Sequence, residues 1–363
     1  MILERLQLHH FRNYDELDIG FSPGINQIIG ENGSGKTNLL ESIYCLGLVK
    51  SFRTVKDADL VQLHQSFFQI TGEFVNELSV RHTITIYYAN GHKAVSLDGK
   101  KVSRHSAIIG FLPIVLFNPE DHRITSGSPS ERRRFLDILL SQSDKSYLAS
   151  LQEYHAILKQ RNKLLCRIAE GQAGPSELDI WDLSFAKTAT QIIALRLKFL
   201  HEIADSFAEA YQQISNEKQS LKAIYLTQDE RCLEGEEAFL NCLRLQRKKE
   251  MLLQKTMIGP HRDDLKFVLD GRDVRKHASR GEQKSVLLAL KFIEYTYLKS
   301  RTETHPILLL DDVYSELDEQ RQKNLFMHLT QIGQVFITAT QQHPLPATHH
   351  QSYHVRNGNV VQL

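Results

Sequence analysis

Hydrophobic and polar residues alternate along the first third of the chain, a pattern typical of strands with one buried face. The alternation is clear over residues 6–8 and again over 17–21. Two longer segments, FFQITGEFV (67–75) and HTITIYY (82–88), predict antiparallel strands, and the Asn-Gly pair at 90–91 predicts a hairpin after the second of them. This part of the chain is therefore expected to form an antiparallel β subdomain.

The spacing of apolar residues becomes helical in the middle of the chain. Apolar positions recur every three or four residues over 151–168 and again over 180–211, and the segment GQAGPSE between them breaks the pattern. We expect one long helix over 180–211. Strand patterns return after about residue 257, in segments such as PILLLDD and QVFITAT.

These patterns predict an α/β fold divided in sequence. Residues 1–130 and 257–363 are expected to form one discontinuous domain with a mixed central sheet and the antiparallel β subdomain. Residues 131–256 are expected to form a second, mostly helical domain inserted between its halves.

Composition narrows the function classes. The chain has 363 residues, 41% of them hydrophobic and 24% charged, with a formal net charge of +1, so any contact with nucleic acid needs a local basic surface. Its four cysteines form no CxxC motif, and no apolar run is long enough to span a bilayer. We expect a cytoplasmic protein with reduced thiols and no membrane partner.

A phosphate-binding motif follows the predicted strand INQII. The residues GENGSGKT at 30–37 match the Walker A pattern, in which glycines let backbone N–H groups surround phosphates. Lys36 is expected to contact the β- and γ-phosphates of ATP, and the Thr37 hydroxyl to ligate Mg²⁺. The predicted nucleotide-binding residues of this segment are Gly30, Glu31, Asn32, Gly33, Ser34, Gly35, Lys36, Thr37 and Asn38.

Two carboxylates end a second apolar strand, in PILLLDDVYSELD at 306–318. Ligands of open α/β sheets bind at the carboxyl ends of the strands. Asp311 is therefore expected to hold Mg²⁺, directly or through water, and Asp312 to orient or deprotonate the attacking water. Together with Lys36, these are the predicted catalytic residues.

The segment SRGEQK, which opens an apolar helix, has two compatible interpretations. Ser279 and Glu282 have the spacing of a capping box, in which each side chain binds the other residue's backbone amide. With Walker A, the segment also resembles the signature of ABC-type ATPases, which binds the γ-phosphate held by a second subunit. That resemblance implies that Ser279, Arg280, Gly281, Glu282 and Gln283 act in trans, in an ATP-induced homodimer. Residues 315–318, SELD, likewise resemble the D-loop of ABC-type ATPases.

Nearly the whole chain resembles the RecF family of bacterial recombination and gap-repair ATPases, which are short relatives of the chromosome-maintenance ATPases. The resemblance rests on FRNY, the Walker A motif, KSFRT, NPEDHRITSGSPSERRRFLD, IGPHRDDL, SRGEQK and LLLDDVYSELD. It implies an ATP-dependent dimer on duplex DNA near single-strand gaps, which works with RecO and RecR to load RecA. It also implies a role in replication and the SOS response.

Several polar residues have two interpretations each. Arg12 and Asn13 resemble residues near the nucleotide in related proteins, or they are surface groups at a strand end. Two basic clusters are either solvated faces or DNA-phosphate contacts. The DNA candidates in these clusters are Arg132, Arg133, Arg134, Arg247, Lys248 and Lys249. His261 and Arg262 either support the site or pack the domains. A metal site at His349, His350 and His354 is disfavoured because no acidic or cysteine partner is nearby.

Two departures from transporter ATPases indicate slow hydrolysis, and the RecF resemblance implies that DNA stimulates it. The usual catalytic glutamate is replaced by Asp312, and Ala339 and Thr340 stand where a switch histidine is expected. A P-loop kinase and the ATPase subunit of a transporter are the alternative functions. A kinase has no use for SRGEQK, and a transporter subunit needs a membrane partner.

Overall fold

The chain is described by a computed structural model that covers residues 1–316, 321–322, 332–344, 350–356 and 358–363. It divides into two compact units. The first comprises Met1–Asp121, Gln213–Ser215 and the described part of Leu288–Leu363, and the second comprises His122–Gln212 and Asn216–Leu287.

The secondary structure of the described residues is numbered in chain order. The strands are β1 (Ile2–Phe11), β2 (Tyr14–Gly20), β3 (Ile25–Ile29), β4 (Phe67–Val75), β5 (Arg81–Ala89), β6 (His92–Leu97), β7 (Lys100–Lys101), β8 (Ile114–Phe117), β9 (Leu221–Leu226), β10 (Asp264–Leu269), β11 (Arg272–Asp273), β12 (Ile307–Leu310), β13 (Val335–Ala339), β14 (His350–Arg356) and β15 (Asn359–Gln362).

The helices are α1 (Lys36–Leu48), α2 (His122–Ser126), α3 (Pro129–Ser143), α4 (Lys145–Ala169), α5 (Leu178–Glu202), α6 (Ala204–Ser215), α7 (Glu236–Leu253), α8 (Val274–His277), α9 (Arg280–Thr302) and α10 (Val313–Glu316). Short 3₁₀ turns lie at Asp57–Leu60, His105–Ala107, Pro119–Asp121, Pro175–Glu177 and Glu230–Leu233.

The first unit contains an antiparallel sheet in the order β2-β1-β4-β5-β6-β7. Buried and half-buried residues alternate strictly along β4, as the sequence pattern predicts. Asn90 and Gly91, which join β5 to β6, both have positive φ, the geometry of a tight hairpin turn. The predicted antiparallel subdomain and its hairpin are confirmed.

A second sheet of the first unit has the order β15-β14-β3-β13-β12-β8. Its strands β14, β3, β13, β12 and β8 run parallel, and β15 pairs antiparallel with β14, so the predicted mixed sheet is confirmed. Every residue of β3, β12 and β13 is buried, which explains the unbroken apolar sequence of β12 and the mainly apolar sequences of the other two strands. Helix α1 contacts strands of both sheets.

The second unit is mostly helical, but it also holds a three-stranded sheet in the order β11-β10-β9. The prediction of a single helix over 180–211 is wrong, because α5 ends at Glu202 and α6 begins at Ala204. Strand β9, which the apolar spacing did not reveal, pairs antiparallel with β10 along its whole length. The second unit includes residues 122–130 and 257–287, which the predicted domain bounds assigned to the first domain, whereas residues 213–215 belong to the first unit.

Candidate functional site

The Walker A segment, residues 30–37, comprises the loop of residues 30–35 between β3 and α1 and the first two residues of α1, and the loop has a backbone conformation that requires glycine. Gly33 and Gly35 have φ of +80° and +117°. A Cβ atom at Gly30 would lie 2.4 Å from the carbonyl oxygen of Val355. No side chain caps the start of α1, and its first turn has no acidic residue. The free amides of this helix start are therefore open to an anion.

Two polar side chains of the Walker A segment, Lys36 and Ser34, have donor groups that suit a phosphate. The Lys36 Nζ donates to the carbonyl oxygens of Gly30 and Glu31, at 2.7 and 2.9 Å. Burial lowers the pKa of Lys36, although the negative charges of Asp312 and Asp311 oppose that shift. The buried Ser34 hydroxyl has no hydrogen-bond partner within the described residues. A buried hydroxyl without a partner is costly, and a phosphate oxygen would satisfy it.

Strand order brings the second motif to this loop. Strand β13 lies between β3 and β12 and runs parallel to both. The carboxyl ends of β3 and β12 therefore lie at the same edge of the sheet, one strand apart. The Thr37 Oγ1 donates to Asp311 Oδ1 at 3.0 Å, across 274 positions of sequence. A hydroxyl and a carboxylate are the hard oxygen ligands that Mg²⁺ prefers. The residues predicted to hold the metal are therefore neighbours.

Thr338, at the end of β13, is a site residue that sequence reasoning missed. Its hydroxyl donates to Asp311 Oδ1 at 2.8 Å and accepts from the Asp312 amide at 2.8 Å. Burial raises the pKa of Asp311, and the hydrogen bonds from Thr338 and Thr37 oppose that shift. A polar residue inside the buried strand VFITA was the available signal. Its importance depends on β13 lying beside β12, which the sequence did not reveal.

Asp312 follows Asp311 in a left-handed conformation, with φ of +51°. Ser315 Oγ donates to Asp312 Oδ2 at 2.8 Å and so orients the carboxylate. The short polar side chain of aspartate tolerates this conformation better than most residues.

Residues 12–14, after β1, contribute unequally to the loop. Asn13 Nδ2 donates to the Ser34 carbonyl at 3.0 Å, and Asn38 Nδ2 donates to Asn13 Oδ1 at 2.7 Å. Tyr14, which the sequence did not single out, donates its buried hydroxyl to the Gly35 carbonyl at 2.9 Å. These hydrogen bonds fix the backbone of the Walker A loop through its Ser34 and Gly35 carbonyl groups.

Arg12 instead faces the buried carboxylate of Glu41. Its Nε and Nη2 donate to the two Glu41 oxygens at 2.9 and 2.7 Å, and its Nη1 donates to the Asp59 carbonyl. Arg53 lies farther from the same carboxylate, at 3.6 Å. The side chain of Arg12 is thus bound by protein groups, and its predicted approach to the nucleotide stays a prediction.

The signature segment, in the second unit, forms the capping box that its sequence predicts. The Ser279 amide donates to Glu282 Oε2 at 2.6 Å, and the Glu282 amide donates to Ser279 Oγ at 3.2 Å. Gln283 donates to the carbonyls of Val274 and Ala278. Ser279 and Arg280 are exposed, whereas Gly281 is half-buried. Capping thus coexists with an exposed helix start, and binding to a second subunit's phosphate stays a prediction.

The predicted DNA contacts differ in accessibility. Arg132 is a correction: it is 3% exposed, and its Nε and Nη2 bind the carboxylate of Asp264, so it does not reach a DNA phosphate. Arg247 is half-buried and donates to Asp179 and Asp182. Arg134, Lys248 and Lys249 are exposed.

Other expectations concern metals and membranes. Among the described residues, no group of three or more histidine, cysteine or acidic side chains is arranged to hold a metal ion. His349, and residues 317 and 318 of the D-loop segment, lie outside the described ranges. None of the helices that the structure describes combines the length and apolarity needed to cross a bilayer.

The chain is similar to known proteins along its whole length. A family model described as the RecF/RecN/SMC N terminal domain matches residues 2–360. The DNA replication and repair protein RecF of Streptococcus suis (strain 05ZYH33) is 37% identical, with 100% of both chains covered. RecF of Ligilactobacillus salivarius (strain UCC118) is 38% identical, over 93% of this chain and 90% of that protein.

Solved structures agree with these matches. The recombination mediator protein RecF-ATPrS of the RecFOR pathway has a TM-score of 0.92 at 33% identity, covering 99% of this chain and 98% of that chain. The Smc head domain of Pyrococcus furiosus has a TM-score of 0.55 at 19% identity, covering 100% of this chain and 96% of that chain, which is evidence of fold alone. The predicted ABC-type ATPase head is confirmed. The matches favour the RecF interpretation over the kinase and transporter alternatives.

Proposed function

The chain belongs to the RecF family of DNA replication and repair proteins, and from this membership and the site geometry we propose that it is an ATP-dependent DNA-binding protein of recombinational gap repair. The observation that carries the proposal is the joining of the Walker A loop to the end of β12 through Thr37, Asp311 and Thr338. A nucleoside triphosphate with a divalent cation fits this combination of free helix amides, a buried lysine and hard oxygen ligands.

The residues of the site divide the work of ATP hydrolysis. Lys36 and the amides of residues 33–37 would hold the β- and γ-phosphates. Thr37 and Asp311 would hold Mg²⁺, which neutralises phosphate charge when bound. Asp312, oriented by Ser315, would hold the attacking water and accept its proton. With aspartate in place of glutamate, and Ala339 and Thr340 where a histidine is expected, we expect slow hydrolysis that acts as a switch. Membership of the RecF family supports its stimulation by DNA.

The signature segment would complete the site in a second copy of the chain. Each chain has one Walker A loop and one exposed helix start at Ser279. A symmetric pair can place the helix start of each copy on the triphosphate of the other, which forms two composite sites. ATP would then drive dimerisation on DNA, and hydrolysis would release the dimer.

Family membership also supports the wider role. RecF-ATPrS is described as a recombination mediator of the RecFOR pathway. We propose that this chain likewise binds duplex DNA near single-strand gaps, acts in the cytoplasm with RecO and RecR to load RecA, and serves replication and the SOS response. Arg134, Lys248 and Lys249 remain the exposed DNA candidates of the two basic clusters.

The proposal is tested by measuring DNA binding and particle mass together. The full chain is mixed with gapped duplex DNA in ATP, in ADP and without nucleotide, at two salt concentrations, because phosphate contacts weaken steeply with salt. We expect a dimer and tight DNA binding in ATP alone. Lys36→Ala, which removes the phosphate-binding amine, should abolish both. DNA affinity and mass that are the same in all three nucleotide conditions would overturn the proposal.

A further inference from the structure

The stretch of the chain between Glu77 and Glu120 contains almost no acidic residues. Asp98 is the one aspartate or glutamate among the 42 residues from 78 to 119, whereas the whole chain has 43 in 363. At the chain average, a stretch of this length would contain about five. The same stretch has five lysines and arginines, so it is strongly basic in a chain whose net charge is only +1.

Two of these five cations are paired in the folded chain. The Lys93 Nζ donates to Asp57 at 2.8 Å, and Arg81 lies 3.5 Å from Glu4. The other three lie close together in sequence, and each of them is exposed: Lys100, Lys101 and Arg104.

Asp98, the carboxylate of this stretch, is bound mainly by other groups. It lies 3.0 Å from His82 Nδ1 and accepts from the Thr83 amide at 2.8 Å. The hydrogen bond from His82 and the one from the Thr83 amide hold the pKa of Asp98 below its usual range, and the charge of Lys100 adds to this shift. Asp98 therefore supplies part of the counter-charge for Lys100.

The three exposed cations lie at one edge of the antiparallel sheet. Strand β7 pairs with β6, so that Lys100 is opposite Leu97 and Lys101 is opposite Ser96. Arg104 follows Lys101 by three residues, so their Cα atoms lie within about 11 Å of each other. Within the described residues, Lys101 and Arg104 form no ion pair, and their side chains donate no hydrogen bond. We call Lys100, Lys101 and Arg104 the basic edge.

Lys101 also ends a row of hydroxyl groups on the solvent face of the sheet. The strand register places Lys101, Ser96, Thr85 and Thr71 side by side on four strands, and all four side chains are at least partly exposed. Neighbouring strands lie about 4.8 Å apart, so the row is about 14 Å long. Serine and threonine hydroxyls bind DNA phosphates as lysine and arginine do, so the row extends the basic edge with uncharged donors.

Protection of a free sheet edge is the alternative role for these lysines. Lysine at an edge strand discourages pairing with other sheets. That role accounts for Lys100 and Lys101, but it requires neither Arg104, which lies beyond the strand, nor a shortage of acidic residues over 42 positions. A polyanion is repelled by carboxylates, so a partner with many phosphates explains both features.

We propose that the basic edge contacts the phosphate backbone of duplex DNA, with Lys101 and Arg104 as its principal donors. This inference rests on the proposed function, because it names a surface that holds DNA. Each DNA strand carries one negative charge per about 3.4 Å of helix axis, so two cations about 11 Å apart can reach different phosphates. The basic edge lies in the first unit, whereas Arg134, Lys248 and Lys249 lie in the second.

The test compares the double variant Lys101→Gln/Arg104→Gln with two controls. Lys101→Arg/Arg104→Lys keeps both charges, and Lys159→Gln/Lys187→Gln removes two exposed charges from α4 and α5. Binding of the full chain to duplex DNA, and to a single strand of the same length, is measured in ATP over a salt series.

Loss of two phosphate contacts has a characteristic dependence on salt. Lys101→Gln/Arg104→Gln should weaken duplex binding about thirtyfold at low salt and lower the magnitude of the salt slope by about 1.8. The charge-retaining variant should stay within about threefold of the wild type, and Lys159→Gln/Lys187→Gln within about twofold. Thermal unfolding and binding of a fluorescent ATP analogue should be unchanged in all three variants, because the replaced side chains are exposed.

Several results would overturn the inference and leave the proposed function intact. One is a duplex affinity of Lys101→Gln/Arg104→Gln equal to that of the wild type, including the case in which this variant loses only RecR or single-strand binding. Another is a weaker duplex affinity with an unchanged salt slope, which would mean that no phosphate contact was lost. A wild-type chain that binds no DNA in ATP would instead refute the proposed function, and this inference with it.

Discussion

Asp312 shows how a backbone angle constrains the chemistry of a single residue. Its φ of +51° suits aspartate and asparagine, whereas glutamate, the residue expected by comparison with transporter ATPases, gains no such benefit. The shorter carboxylate is therefore compatible with the turn that presents it. Its neighbours Thr338 and Ser315 bind its amide and its carboxylate.

Replacing Asp312 with asparagine should preserve the turn and remove the proton acceptor. We expect Asp312→Asn to lower the ATP hydrolysis rate by about 100-fold or more and to lengthen the life of the ATP-bound dimer. Ser315→Ala, which removes only the orienting hydrogen bond, should have a smaller effect. Phosphate release and light scattering measure the two quantities. A hydrolysis rate that Asp312→Asn leaves unchanged would exclude Asp312 from this role.

Replacing Arg12 tests whether its guanidinium binds the nucleotide or stabilises the folded chain. Arg12→Ala leaves the buried Glu41 carboxylate without its paired guanidinium, so the free energy of unfolding should fall by about 3 kcal/mol. Arg53→Ala, at an exposed position 3.6 Å from the same carboxylate, should cost less than about 1 kcal/mol. Urea unfolding measures both. If Arg12→Ala keeps its stability and loses nucleotide affinity, the guanidinium acts on the nucleotide instead.

At the scale of elements, periodicity located most strands and helices of the first unit but did not resolve two features of the second. The apolar spacing continues through Ile203, so it did not reveal the break between α5 and α6. Strand β9 is short, and exposed residues such as Ile224 interrupt its pattern. Its pairing with β10 joins residues far apart in sequence, which local spacing does not encode.

The loop of residues 256–263 should depend on its glycine. Gly259→Ala combines an unfavourable φ with an overlap at the Tyr154 hydroxyl, so we expect the free energy of unfolding to fall by about 3 kcal/mol. Gly271→Ala is the matched control: its φ is +78°, but the added Cβ meets nothing within 4 Å, so only about 1 kcal/mol is expected. Equal losses for the two variants would show that the Tyr154 contact is unimportant.

The same loop should make stability depend on pH. The folded pKa of His261, about 4, lies below its ordinary value of 6.5, so the unfolded chain binds more protons between these values. Stability is then full above pH 6.5 and is lost as the pH falls towards 4. Between pH 6.5 and 5 the contribution of His261 should fall by about 1.5 kcal/mol. Unfolding of wild type and His261→Gln over this range should differ by that amount, and parallel pH profiles would contradict the assignment.

At the scale of the whole molecule, the proposed activity depends on two copies of the chain. Ser279→Asp tests this, because aspartate caps a helix as well as serine does but places a negative charge where the other copy's terminal phosphate is expected. We expect normal stability and normal ATP binding by the single chain, and no ATP-dependent dimer in light scattering.

Ser279→Asn is the matched control, since asparagine caps the helix and carries no charge. It should retain more of the ATP-dependent dimer than Ser279→Asp. If Ser279→Asp dimerises with ATP as the wild type does, the signature segment is not part of a composite site.

The features that the sequence determined by itself are those whose hydrogen bonds and backbone angles involve residues only a few positions apart. The glycines of the Walker A loop, the hairpin at 90–91 and the capping box at Ser279 all follow from local backbone geometry, and for that reason their residues were identifiable in advance. Only the tertiary structure decided which distant groups meet. Thr338 reaches Asp311 because β13 lies beside β12, and Arg132 is buried because Asp264 lies against α3. Strand order and helix packing select such partners, and no periodicity along the chain records them.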